Sequence, residues 1–177
     1  MYCIIGLPKS EGKSVIMVVV DKLTKYEHFC ALSHPFKANT VSNAFMETIQ
    51  KLHGNPKIIV SDRDPIFIGN FWTKLFSCPG TQLAHSSSYH PQSDGQTEIV
   101  NKCLEGYLRC FVSDKQTQSV KWLPLAEWWY NTSFHTATKM TPFMALYGYQ
   151  LLSLKLSLGS YRDTTEVTTN QSLDCRF

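Results

Sequence analysis

The sequence has no apolar run near the roughly 18 residues that a membrane-spanning helix needs. Its longest, residues 15–20, stops at Asp21. The N-terminus lacks the basic-then-apolar layout of a secretion signal, and no Lys/Arg cluster spells a nuclear address. A chain of this kind is expected away from membranes, in nucleus or cytoplasm. The six cysteines (Cys3, Cys30, Cys78, Cys103, Cys110 and Cys175) include no C-x-x-C pair and no His partner at zinc spacing. That pattern favours free thiols in a reducing compartment over a zinc site or a disulfide framework. Charge of one sign is scarce too. A net +3 over 177 residues is compatible with a nucleic-acid partner but falls short of a strongly basic footprint. Internal repeats are absent. What the chain has is material for a core: 43% hydrophobic and 12% aromatic residues, enough for one domain of ordinary size.

The early part reads as strands. Residues 15–20 are β-branched and apolar throughout, as in a strand covered on both faces. Gly12 and Lys13 suggest a turn, which makes residues 3–5 an antiparallel neighbour and 25–32 a third strand of a meander. A helix comes next, capped by Asn39 or Thr40. Its apolar face is Val41, Ala44, Phe45, Thr48, Ile49 and Leu52, and Gly54 and Pro56 end it. Residues 57–60 form a short buried strand that gives out at Ser61 and Asp62. A single helix is predicted over 66–76, with Phe67, Phe71, Leu75 and Phe76 as its apolar side, and a fifth strand over 81–84. Residues 86–95 have almost nothing to bury and read as a loop. The clearest helix is 96–111, where Val100, Leu104, Tyr107 and Phe111 face the core and Glu98, Lys102, Glu105 and Arg109 lie opposite. A further aromatic helix covers 122–134, and Thr141-Pro142 opens a short one. The whole is one α/β domain, with a Ser/Thr-rich end that cannot complete a second.

Two carboxylates stand out by position. Asp62 sits where a buried strand gives out, the usual place for ligand groups in α/β sheets. Glu98 opens the long helix directly after the loop. Brought together, they would repel by roughly 4 kcal/mol at about 4 Å with an effective dielectric near 20. A hard divalent cation removes that repulsion, and oxygen ligands favour magnesium or manganese over zinc. The plainer alternative is that Asp62 caps a turn and Glu98 suits the positive end of its helix. Spacing alone does not separate the two.

The surrounding residues do. Asp62 lies in Ile59-Val60-Ser61-Asp62-Arg63-Asp64-Pro65-Ile66-Phe67. Glu98 lies in Tyr89-His90-Pro91-Gln92-Ser93-Asp94-Gly95-Gln96-Thr97-Glu98-Ile99-Val100-Asn101. With Gly6-Leu7-Pro8-Lys9-Ser10, Val19-Val20-Asp21-Lys22-Leu23, Leu52-His53-Gly54 and Thr141-Pro142-Phe143, these segments resemble the integrase catalytic core of gypsy-class long-terminal-repeat retrotransposons. The resemblance runs from about residue 4 to 149. It implies a ribonuclease-H-like fold, a mixed five-stranded sheet flanked by helices. It also implies DNA strand transfer with two magnesium ions, DNA as partner, a homodimer as an allowed state, and no small-molecule substrate. Asp62 and Glu98 match the family's second and third metal ligands. Asp21 and Asp64 match no ligand position and read as strand-end and turn residues.

Departures from the family carry as much weight. Tyr2 stands where the family has its first metal-binding aspartate, and a phenol with pKa near 10 is no anionic bridge at neutral pH. Ile5 replaces a common acidic residue. Residues 1–149 are therefore expected to be a core-like domain with a truncated or degenerate first strand, and 150–177 a divergent, poorly ordered tail. The expected function is DNA integration chemistry that is impaired. The alternative is a non-catalytic domesticated nucleic-acid or protein-binding module, or else a decayed element remnant. By the same resemblance, Tyr89, His90, Gln92, Ser93 and Gln96 would lie beside the DNA. Lys102 would reach a phosphate, unless it only pairs with Glu98 at i, i+4. Trp122, Trp128, Trp129 and Tyr130 suit core or dimer contact better than a stacking platform for bases.

Overall fold

Residues 15–20 form the central strand that their composition requires. β2 (Val15–Val20) pairs antiparallel with β1 (Tyr2–Ile4) on one side and β3 (Glu27–Leu32) on the other. The computed structural model describes residues 1–62, 64–77, 80–85, 104, 106 and 119–151. Glu98, Tyr89, His90, Gln92, Ser93, Gln96 and Lys102 fall outside them, as does the expected tail beyond residue 151.

Two turns set the meander. Ser10 and Lys13 exchange backbone hydrogen bonds of 2.8 and 2.9 Å around Glu11 and Gly12, both at positive φ. Asp21 closes the second turn by accepting from the backbone N–H of Thr24 at 3.0 Å. Lys25 there adopts φ 63, a left-handed geometry foreign to strands. For that reason β3 starts at Glu27, two residues later than expected.

The expected single five-stranded sheet is corrected. β4 (Ile58–Ser61) and β5 (Gln82–His85) form a parallel pair apart from the three-stranded sheet. What joins them is Met1, whose amino group donates to the Val60 carbonyl at 2.8 Å. The Met1 carbonyl in turn accepts from the Asp62 N–H at 3.2 Å. β1 and β4 thus meet over one residue, too short a contact for a ladder.

The helices differ from expectation where the backbone intervenes. α1 (Ala38–Phe45) runs into a π-helical segment (Met46–Gln50) and then α2 (Lys51–His53). Lys37 stands at its N-cap without a side-chain bond, so neither Asn39 nor Thr40 caps it. The π segment inserts extra residues per turn and rotates the helix beyond it. Leu52, expected on the buried face, is 60% exposed. Gly54, at φ 75, then ends the helix. The helix expected over 66–76 is two, α3 (Pro65–Ile68) and α4 (Asn70–Ser77), because Gly69 between them is extended at ψ 148. α5 (Ser119–Thr132) starts three residues early, its Val120 N–H held at 3.1 Å by the buried Ser10 hydroxyl. α6 (Pro142–Tyr147) has Thr141 as its cap and Pro142 in the first turn, as predicted. Leu104 and Gly106, from the expected 96–111 helix, are both helical.

Strand alternation divides the core in two. Tyr2, Ile16, Val18 and Phe29 face Leu104, Leu123 and Ala126, with Trp122, Trp129 and Tyr130 packed around them. Val15, Met17, Cys30 and Leu32 face Val41, Phe45, Ile49, Ile59, Phe67, Trp72 and Phe76. On the second face Trp72 lies 4.6 Å from Phe76, 5.3 Å from Phe67 and 6.0 Å from Phe45, ring centre to ring centre. Full burial of each such ring contributes roughly 1.5–3 kcal/mol. Among the described residues no helix is long and apolar enough to cross a membrane.

Candidate functional site

The buried residues Ile59 and Ser61 anchor β4, and the chain leaves the sheet at Asp62, which is half-buried. Its Oδ1 accepts the Asp64 N–H at 3.3 Å. Burial raises the pKa of its carboxyl and the Asp64 carboxylate adds to that. The Met1 ammonium and the Cys3 backbone N–H act in the opposite direction. Cys3 on β1 feels the same field: burial, then Asp62 and Asp64, push its thiol up to about 12. The end of β4 therefore faces the start of β1.

Asp64 does different work. Its Oδ1 accepts from the Ile66 N–H at 2.9 Å, capping α3 with Pro65 in the first turn. Asp21 is spent on the Thr24 turn.

Tyr2, on the strand next to Asp62, turns into the core rather than toward solvent. It is 9% exposed and shares its cluster with Leu104, six positions after Glu98 in the sequence. Burial raises its phenol pKa well above the ordinary 10, and the carboxyl of Glu27 raises it further. The hydroxyl has no hydrogen-bond partner among the described residues. A neutral phenol in such a place offers a cation nothing.

Sequence reading missed a set of buried polar groups. Glu27 is fully buried. Its backbone is clamped by Asn131, whose Oδ1 accepts from the Glu27 N–H at 2.9 Å while its Nδ2 donates to the Glu27 carbonyl at 2.8 Å. Burial pushes the Glu27 carboxyl up to about 8, against the pull of the Tyr130 phenol and with the push of Glu127. Neither of its oxygens makes a hydrogen bond of regular geometry among the described residues. On the opposite face His28 bridges Glu127 and His53. The one signal available in sequence was the pair Glu27-His28 opening an otherwise apolar strand. Beside them is a cavity of about 650 Å³ whose lining includes Asp21, Tyr26, His28, His53, Lys57 and Val60. Cys3 and Cys30 are free thiols, and Trp128 is 43% exposed, whereas Trp122 and Trp129 pack on the core.

Of the proposed ligands, then, the structure describes Asp62 alone. Among the described residues no three His, Cys, Asp or Glu side chains converge where they could hold a metal ion.

No protein-family model matches the chain. Its sequence is 32% identical over 173 residues to the transposon Tf2-3 and Tf2-4 polyproteins of Schizosaccharomyces pombe, an alignment covering 98% of this chain. The chain spans 13% of the length of those relatives. In structure it resembles a chain of the simian T-cell lymphotropic virus intasome in complex with PP2A regulatory subunit B56 gamma. The TM-score there is 0.69 at 18% identity, covering 96% of this chain and 59% of that one. It also resembles the HTLV-2 integrase catalytic core domain in complex with magnesium (TM-score 0.64, 15% identity, 81% and 93% covered). A third neighbour is the BIV integrase catalytic core (TM-score 0.61, 20% identity, 80% and 90% covered). The chain is a homologue of one segment of the transposon Tf2 polyproteins and has the α/β fold of retroviral integrase catalytic cores.

Proposed function

We propose that this chain is an integrase catalytic-core-like domain that binds DNA and whose strand-transfer activity is impaired. The reading takes residues 1–149 as the domain and Asp62 and Glu98 as the two remaining carboxylates of a magnesium or manganese site. Tyr89, His90, Gln92, Ser93, Gln96 and Lys102 are its DNA contacts, with a homodimer as the assembly. What carries the reading is Tyr2. The strand beside Asp62 presents a buried, neutral phenol where the related family has an aspartate, and this removes the anion that would hold two cations together.

Among the described residues, the side chains do not make up a two-metal centre. Asp62 supplies one hard-oxygen ligand, and its pKa is raised, which weakens it further as a cation ligand at low pH. With one ligand removed, metal affinity falls before anything else does. Calorimetric titration with manganese chloride tests this. The native chain should bind manganese at least about tenfold more weakly than Tyr2→Asp, and Asp62→Asn should abolish the residual binding. Equal binding of two ions by native chain and Tyr2→Asp would overturn the assignment. If Tyr2→Asp binds no better while the native chain still binds DNA in a salt-sensitive manner, a non-catalytic binding module is the better description.

A further inference from the structure

Two imidazole rings from different elements meet nitrogen to nitrogen beside the cavity between β2 and β4. His28 on β3 and His53 at the end of α2 approach with Nε2 to Nε2 at 3.0 Å and ring centres 5.2 Å apart. We propose that these rings form a proton-operated latch between β3 and the end of α2. The latch is closed while a single proton lies between the two Nε2 atoms and is released when both rings become imidazolium.

The neighbours fix the tautomers. Glu127 on α5 places Oε1 2.9 Å from His28 Nδ1, and its Oε2 accepts the Phe29 N–H at 2.8 Å. A carboxylate in this setting only accepts, so His28 Nδ1 carries a hydrogen. In the neutral pair, His53 Nε2–H donates to the lone pair of His28 Nε2. One added proton, on His53 Nδ1, leaves that bond in place and makes it charge-assisted. A second added proton requires hydrogens on both Nε2 atoms. At 3.0 Å the bond is then replaced by repulsion between two cations.

The surroundings favour a late second proton. His53 is an exposed residue at the cavity edge; partial desolvation lowers its pKa first, the neighbouring His28 lowers it further, and Asp21 opposes both. The other groups facing the pair are Glu127 from α5, Tyr26 from the turn before β3 (ring centres 5.1 Å from His28 and 6.3 Å from His53), and Tyr147 from α6, which stacks edge-on against Tyr26. Lys22 and Lys57 line the same cavity. Glu127 has both oxygens engaged on β3, so it steadies His28 and does not reach across to hold His53.

The chain path determines what the latch controls. His53 is the last residue of α2, and after Gly54 and Pro56 the chain enters β4, whose end delivers Asp62. Releasing His53 frees the lead-in to β4 on the side of the cavity lined by Lys57, Ile58 and Ile59. Acid therefore loosens this lead-in while the β2–β3 ladder stays paired.

Proton-detected nitrogen NMR of the histidine rings, on the full chain between pH 7.5 and 4.5, tests the proposal. The expected result is hydrogen-bonded Nε2 signals at neutral pH that persist on mild acidification and disappear together toward the acid end of that range. Exchange of the Gly54 amide, bonded to the Gln50 carbonyl at 2.9 Å, should rise in step by about tenfold beyond its intrinsic pH dependence. His53→Gln keeps a donor but has no proton to gain, so its Gly54 exchange should show no such rise. The same acid response in His53→Gln would overturn the latch. Should that variant not fold, the native rings decide: Nε2 atoms free of hydrogen bonding at neutral pH, or rings titrating independently with Gly54 unmoved, would also overturn it.

Discussion

The two faces of the β1–β2–β3 sheet are built on different principles. The face toward Phe45, Phe67, Trp72 and Phe76 has an apolar centre locked by edge-to-face rings, with His28 as the buried polar side chain that β3 adds to it. The face toward α5 and Leu104 mixes its apolar core with a buried phenol, a buried carboxyl and a buried amide: Tyr2, Glu27 and Asn131. The denser ring packing predicts that more of the stability comes from the first face. On the second lies Tyr2, which the proposed reading sets at the position of the missing metal ligand. Under the proposed reading, the first face holds the fold while the second lacks one metal ligand.

The largest effect should come from the apolar face. Trp72→Ala is expected to cost about 3–5 kcal/mol in denaturant unfolding, since Trp72 is 1% exposed amid three other rings. A loss below about 1 kcal/mol would mean that this face is not the chief source of stability.

On the mixed face, Asn131→Ala deletes both bonds to the Glu27 backbone and leaves a buried N–H and carbonyl unpaired. The same measurement should register about 2–3 kcal/mol, with faster amide exchange at Glu27 reporting loosened packing near β3.

Glu27→Gln sharpens the comparison through pH. The Glu27 carboxyl has an ordinary value of 4.5 and is raised to about 8 in the fold. Between those values the folded protein keeps a proton that the unfolded chain has released, so stability falls as pH rises. The contribution is complete below about pH 4.5 and lost by about pH 8. Glutamine cannot ionise, so the variant should gain on the native chain by roughly 2 kcal/mol across that window, read as melting temperature against pH. Parallel curves for the two proteins would place the Glu27 carboxyl in water.

Much of this architecture was legible in the residues. The β-branched run 15–20, the Gly54 stop and the Thr141-Pro142 cap each carry local chemistry with one structural outcome. Asp62 was legible as a strand-end carboxylate. What local patterns could not carry was backbone irregularity and long-range pairing. The π segment at 46–50 rotated Leu52 out of the core and turned His53 toward His28, and no periodicity argument anticipates an inserted turn. Gly69 broke a helix that its flanking aromatics suggested was continuous. The Asn131 clamp on Glu27 joins residues 104 positions apart. The link between β1–β3 and β4–β5 runs through the hydrogen bonds of one residue, Met1.

The most direct test of the central claim is a strand-transfer assay with manganese, comparing the native chain with Tyr2→Asp and monitoring folding by thermal melting. An inactive native chain and an active Tyr2→Asp variant, silenced again by Asp62→Asn, is the result predicted for a preserved core lacking one ligand. Strand transfer by the native chain at the level of the variant would contradict it, because the buried phenol at Tyr2 would then have cost the site nothing.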